Sequence, residues 1–235
     1  MRLKIMTYNV QSGRDAWGQL HLDGCAATIN EVQPDVCVLN EVRVGCIGSG
    51  RLDQPAEIGK ATGMYHAFAK AIPFDGGSYG IALLSKYPIV KFEVFPVPAL
   101  PEETQARNYE ARVLERAELD INGQTIVVYG SHFGLTGRER VNATKLVLEK
   151  VPFETLPTLL MGDFNMTPDD SLIAQLEEKL INTGKDSLEL THHTLNMRDT
   201  IDYIFVNDKI KVTASYVKFS YASDHLPRII ECEIK

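Results

Sequence analysis

Thr158-Leu159-Leu160-Met161-Gly162-Asp163-Phe164-Asn165-Met166-Thr167-Pro168-Asp169-Asp170 sets the pattern of the chain. The apolar residues from 158 to 161 read as a short buried strand that runs into the polar segment Gly162 to Asn165. Thr167, Pro168 and the two acids then supply an N-cap, a proline at the first helical position and first-turn acids, so a helix is expected through Leu180. A strand ending in polar residues and handing over to a helix is the unit of an α/β layer, in which ligands gather at the C-terminal strand ends.

The same unit recurs towards the N-terminus. Leu3, Ile5 and Thr7 alternate with Lys4, Met6 and Tyr8 as a first strand with Asn9 at its end. Leu22, Cys25, Ile29 and Val32 fall at helix spacing, Pro34 stops the run, and Val36-Cys37-Val38-Leu39 is a wholly apolar strand that delivers Asn40 and Glu41 at its C-terminal end. A second helix, residues 53–62 closed by Gly63, leads to strands around 65–69 and 79–85. Residues 112–120 and 124–133 are strand-like runs joined through Ile121-Asn122-Gly123, a strong hairpin signal that makes them an antiparallel pair. A helix fits 138–150 with Ala143, Leu146, Val147 and Val151 on one face, and strands at 201–206, 211–219 and 227–234 complete the series.

The 235 residues are 44% hydrophobic and 23% charged, which excludes disorder, collagen and coiled coil. A chain of this length buries roughly 70% of its unfolded surface without staples, so any metal is functional rather than structural. The four cysteines, Cys25, Cys37, Cys46 and Cys232, form no C-x-x-C pair and read as free thiols of a reducing compartment. The net charge of −7 opposes a long nucleic-acid footprint, though not a local basic patch. No run approaches the roughly 20 apolar residues of a membrane span, and the N-terminus carries no apolar signal core, so a cytoplasmic protein without membrane anchoring is expected. No composition break or repeat divides the chain. The expectation is one domain, 1–235, of class α/β, with two packed sheets and helices outside.

Glu41, His132, Asp163, Asp202, Asp224 and His225 lie at expected strand ends, with Asn9 and Asn165 beside them. Each alone has a plain reading as a turn, a cap or a solvated charge. Together, carboxylates gathered at one sheet edge repel unless a cation sits among them. An oxygen-rich, cysteine-free set suits Mg²⁺ or Mn²⁺ rather than zinc.

Thr7-Tyr8-Asn9, Asn40-Glu41, Gly80-Ile81-Ala82-Leu83-Leu84-Ser85-Lys86, Ser131-His132-Phe133, Gly162-Asp163-Phe164-Asn165, Ile201-Asp202-Tyr203-Ile204 and Ser223-Asp224-His225 resemble, in order, the signature blocks of the endonuclease/exonuclease/phosphatase superfamily. The resemblance spans residues 5 to 230. It implies a four-layer α/β sandwich of two mixed, mainly antiparallel sheets flanked by helices, and metal-dependent hydrolysis of phosphate esters. It also implies roles. Glu41 matches the metal-binding glutamate, Asn9 its neighbour in the metal's surroundings, and Asp224 an acid near the metal. Asp163 matches the aspartate that orients or deprotonates water, Asn165 the amide that fixes nucleophile or phosphate, and His225 the histidine facing the phosphate, oriented by Asp202. His132 matches a second phosphate-contacting histidine, and Arg112 a phosphate clamp.

Several residues have weaker claims. Arg138 and Arg140 open a helix, where phosphate is welcome but a solvated turn is the plainer reading. Tyr79 and Tyr109 are candidate substrate hydroxyls or core residues. His192 and His193 precede the strand of Asp202 and are candidates to border the site, without a local reason to be ligands, and Trp17 with the loop from Gly13 to Gln19 is a candidate lid beside Asn9. Many nucleases of the superfamily have an acid two residues after the first asparagine; Gln11 stands there, which argues against a second metal and an apurinic-site activity. The expected function is a Mg²⁺- or Mn²⁺-dependent phosphodiesterase acting on a small-molecule or lipid-headgroup diester. A nuclease acting on DNA or RNA is the first alternative, and a catalytically inactive binding domain the second.

Overall fold

In β1 (Arg2–Asn9), Leu3 and Ile5 face one way and Met6 and Tyr8 the other, and the two rows enter different cores. The first row packs between two β-sheets and the second under helices. The computed structural model describes residues 1–99, 104–105 and 109–235. β1 is followed by α1 (Leu22–Val32), β2 (Val36–Val44), α2 (Gln54–Thr62), β3 (Tyr65–Phe74), β4 (Gly77–Ser85) and β5 (Ile89–Pro96). Then come β6 (Val113–Ile121), β7 (Gln124–His132), α3 (Gly137–Lys150), β8 (Thr158–Asp163), α4 (Ser171–Glu177), β9 (Ile181–Asn182), β10 (Asp202–Val206), β11 (Ile210–Val217) and β12 (Arg228–Ile234).

Two six-stranded sheets form, in the orders β11-β12-β1-β2-β4-β3 and β5-β6-β7-β8-β10-β9. In each sheet one parallel pair, β1 with β2 or β7 with β8, sits at the centre and the remaining pairs are antiparallel. Helix α1 makes the first parallel crossover and α3 the second, so both sheets repeat one plan. Leu3, Ile5, Val38, Leu119, Val128, Leu159, Ile204 and Ile230 belong to the core between the sheets. Met6, Tyr8, Cys25, Ile29 and Ile58 pack the first sheet against α1 and α2, and Val127, Leu146, Leu160, Ile173 and Phe205 pack the second against α3 and α4. The layers run helix, sheet, sheet, helix, a four-layer α/β sandwich; each fully buried aliphatic side chain contributes about 1.5–3 kcal/mol.

Helix ends follow local chemistry. Asp53 caps α2 by accepting from Ala56 N, and Gly63 ends it at φ 69°. Thr136 and Glu139 form a reciprocal capping box on α3. Asn122 and Gly123 turn the β6–β7 hairpin with φ values of 56° and 84°, the left-handed pair such a turn requires.

Three expectations are corrected. α4 starts at Ser171 and ends at Glu177, because Asp170, accepting from Leu172 N, caps it in place of Thr167. β2 does not stop at Leu39; its pairing with β4 shifts between Leu39 and Val42 and resumes to Val44. β5 was absent from the sequence pattern, since Val90, Lys91 and Glu93 stand in an edge strand with much of its surface in solvent. Among the described residues no helix is long and apolar enough to cross a membrane.

Candidate active site

Inner rows of the strands change from apolar to polar at one rim. The row Leu3-Ile5-Thr7 ends in Asn9, Val36-Val38 in Asn40, Ile126-Val128-Gly130 in His132 and Leu159-Met161 in Asp163, while antiparallel β10 begins its row with Asp202. Register brings Asn9 beside Asn40, and Asp163 between His132 and Asp202. Asp224 and His225 enter on the turn before β12, and Arg112 immediately before β6; both strands run antiparallel to their central neighbours, so these residues arrive at the same rim.

Strict alternation would send Glu41 to the face opposite Asn40. The break in β2 places Glu41 at φ 61° instead, a left-handed conformation costing about 1–2 kcal/mol for a residue with a side chain. Its Oε1 then accepts from Asn9 Nδ2 at 3.1 Å. Asn165 is also left-handed, at φ 51°. Between Asp163 and Asn165, Phe164 turns to the helix side and stacks on Phe133 at 4.3 Å between ring centres. Gly162 is required by close approach: at φ 148°, a Cβ there would lie 1.8 Å from Ser131 O of β7.

Asp163 is the focus. Its Oδ2 accepts from Asn9 Nδ2 at 3.0 Å and lies 3.6 Å from His132 Nε2 and 3.7 Å from His225 Nε2, while its Oδ1 accepts from Asn165 N at 2.9 Å. Burial, and then the charge of Asp202, push its carboxyl up to about 7. His225 Nδ1 donates to Asp202 Oδ2 at 2.9 Å. Burial alone would lower the His225 imidazole, but Asp202, Asp163 and Asp224 outweigh it and hold it at about 10, so the ring is an imidazolium at neutral pH. His132 goes the other way, well below the usual range, through burial, Arg112 and His225. Its Nδ1 lies 3.0 Å from Arg112 Nη1, which can only donate, so the neutral ring carries its proton on Nε2.

The structure thus brings together Asn9, Glu41, Arg112, His132, Asp163, Asn165, Asp202, Asp224 and His225. Arg112 is shared with Glu110, whose Oε1 is 2.6 Å away. Arg140 Nη1 donates to Asn165 O at 2.8 Å and braces that loop. Tyr79 is buried against Glu41 and Arg112, and burial, followed by Glu41, raises its hydroxyl pKa. Tyr109 lines a shallow cavity with Arg112 and Asn142. Trp17 packs its ring on Tyr221, 5.0 Å between centres, at the surface. His192 stands 4.6 Å from the His225 ring, closer than its sequence position implied.

Two supports had no assigned role in the sequence. Fully buried Asn40 accepts from Asp163 N at 3.1 Å and donates to Ser131 O at 3.0 Å, stitching the two sheets under the acids. Its signal was an amide at an inward position of an apolar strand. Ser223 Oγ donates to Asn9 O at 2.7 Å and accepts from His225 N at 3.2 Å, tying the start of the chain to its last turn.

Glu41, Asp163, Asp202 and Asp224 face Arg112 and one imidazolium. Burial raises the pKa of Glu41, and the nearby Asp224 adds to the rise. Such an excess of oxygen donors with unbalanced negative charge fits a hard divalent cation. Residues 6–225 match the Endonuclease/Exonuclease/phosphatase family, and the chain belongs to that family of phosphoester hydrolases, which are generally dependent on divalent metals. Exodeoxyribonuclease III of Haemophilus influenzae is 30% identical over 203 residues, 79% of this chain and 67% of that protein. An endonuclease/exonuclease/phosphatase from Beutenbergia cavernae superposes with a TM-score of 0.84 at 23% identity, covering 99% of this chain and 72% of that one. The mannosyl-6-phosphatase of Bacteroides thetaiotaomicron gives 0.78 at 18% identity, covering 99% and 100%.

Proposed function

We propose that the protein is a divalent-cation-dependent phosphodiesterase whose substrate is a small-molecule or lipid-headgroup diester. The charge of the site carries this reading. Four carboxylates oppose Arg112, already shared with Glu110, and the His225 imidazolium, while His132 is neutral. One divalent cation offsets most of this negative excess but leaves little positive charge to spare, which suits a diester monoanion better than a monoester dianion.

Glu41, Asn9 and Asp224 would hold Mg²⁺ or Mn²⁺, and the bound cation supplies polarisation of a phosphate oxygen and stabilisation of the leaving oxygen. The chain's own groups do the rest. Asp163, raised to about 7, orients water and takes its proton. His225 and the Nε2–H of His132 donate to equatorial phosphate oxygens, joined by the second amide proton of Asn165, the first being given to Phe133 O. Asp202 keeps His225 charged and turned.

Hydrolysis of bis-p-nitrophenyl phosphate and p-nitrophenyl phosphate, with and without Mg²⁺ or Mn²⁺, tests the proposal. The diester should be cleaved faster and only with metal, and Asp163→Asn or His225→Ala should lose about 10²–10⁴-fold in rate while staying folded. Wild-type rates in both variants would overturn the site, and faster monoester cleavage the substrate class. The 30% identity to an exonuclease favours a second reading, a nuclease; its mark is binding that weakens steeply with salt.

A further inference from the structure

Residues 191–194 run beside Asp224 to Leu226 as a short antiparallel ladder. Leu226 N donates to Thr191 O at 2.7 Å, Thr194 N donates to Asp224 O at 2.8 Å, and His192 and His225 are bridge partners. On its other side His192 pairs with Asp199, giving its N–H to Asp199 O at 3.0 Å and accepting from Asp199 N at 2.8 Å. Backbone bonds on both flanks therefore fix where the His192 ring stands. One ligand atom from each of His192, Asp224 and His225 lies within 4.8 Å of the others. His192 Nδ1 is buried without a hydrogen-bond partner, 3.8 Å from Asp199 Oδ2. His225 Nδ1 is committed to Asp202, which leaves Nε2, 3.7 Å from Asp163 Oδ2, as the atom that ligates a metal by releasing its proton to solvent.

We propose that His192, Asp224 and His225 bind Zn²⁺, at a centre that does not use Glu41 but draws Asp224 away from the Glu41 cation, and that its occupancy switches hydrolysis off. Two imidazoles and a carboxylate with a fourth position open form a zinc donor set, whereas Mg²⁺ prefers oxygen alone. Gln11 argues against a second cation of the reaction; this nitrogen-rich set selects a different ion. Metal-ligand lengths of about 2.0–2.1 Å put ligand atoms roughly 3.3 Å apart, so the side chains need close by no more than about 1.5 Å, and His192 and Asp224 are the partly exposed members able to move. Asp202 stands behind the His225 imidazole at 2.9 Å, the arrangement that orients histidine ligands in metal centres. Ligated His225 Nε2 has no N–H to give a phosphate oxygen, so zinc and turnover exclude each other. The binding half of the proposal stands on the geometry alone; the inhibition half rests on the hydrolase reading.

Calorimetric titration of the full chain with Zn²⁺, together with the visible absorption of added Co²⁺, tests binding without reference to activity. The wild type should bind Zn²⁺ and give tetrahedral Co²⁺ bands. His192→Ala should weaken binding by about 10-fold or more at an unchanged melting temperature, and Glu41→Gln should keep it. His192→Asn, smaller in its disturbance of the ladder, should reproduce the loss. Equal affinity in wild type and His192→Ala, or loss in Glu41→Gln alone, would overturn the centre. With Mg²⁺ and bis-p-nitrophenyl phosphate, Zn²⁺ should inhibit the wild type and spare His192→Ala. Binding without inhibition would overturn the switch, whereas binding in a protein with no hydrolysis at all would uphold the centre and reject only the hydrolase reading.

Discussion

Glu115 directs both carboxylate oxygens into the core between the sheets without a hydrogen-bond partner, paired in register with Gly130, two residues before His132. A Cβ on Gly130 would lie 2.4 Å from its Oε1, so the glycine makes the room. Burial pushes this carboxyl up to about 8, against about 4.3 in an unfolded chain. Below the lower value both states are protonated and ionisation costs nothing. As pH climbs from there to about 8 the unfolded chain sheds its proton while the folded protein keeps it, so stability falls across that window and then levels. Glu115→Gln removes the titration. Its stability relative to wild type in urea unfolding should rise between pH 5 and pH 8, by an amount on the order of a few kcal/mol; a pH-independent difference would show that Glu115 is not held protonated.

At the scale of elements, the turn from Gly162 to Asn165 concentrates the fold's constraints. Gly162→Ala adds a methyl against the Ser131 carbonyl and strains a backbone at φ 148°, so urea unfolding should show a loss of about 3 kcal/mol or more, or no folded protein at all. A melting temperature within about 2 °C of wild type would show that β7 and β8 yield to accommodate it. That turn was also where the sequence spoke most clearly, because an apolar strand, a polar loop and a capped helix differ in period and composition. The Asn122-Gly123 hairpin, α1 to Val32 and the Gly63 stop were legible for the same local reason. The break in β2 was not: nothing in Leu39-Asn40-Glu41-Val42 signals a register shift, which is settled by pairing with β4, distant in sequence. His192 was legible as a residue bordering the site but not as a neighbour of His225, since only the ladder with residues 224–226 brings the two together. Polar residues at strand ends announce a site; which of them meet depends on register between strands.

For the molecule as a whole, a net charge of −7 makes long-range attraction of polyphosphate weak. Raising salt from about 50 to about 200 mM should change KM for bis-p-nitrophenyl phosphate by less than about 3-fold, whereas a protein holding six to ten phosphates loses about 10³–10⁵ in affinity over that range. A steep loss of activity on the small diester would contradict this picture of its surface. The two sheets share one plan and divide the site between them: Asn9, Glu41, Asp224 and His225 come with the first, His132, Asp163, Asn165 and Asp202 with the second. The first sheet is assembled from both ends of the sequence, β1 lying between β2 and β12. Ribosomes make proteins from the N-terminus onward. Asn9 and Glu41 therefore leave the ribosome before Asp224 and His225 do, and β1 lacks one of its neighbours until β12 is made. A nascent chain that has not reached residue 225 lacks two side chains of the rim, Asp224 and His225, so the rim assembles only once β1 and β12 can pair.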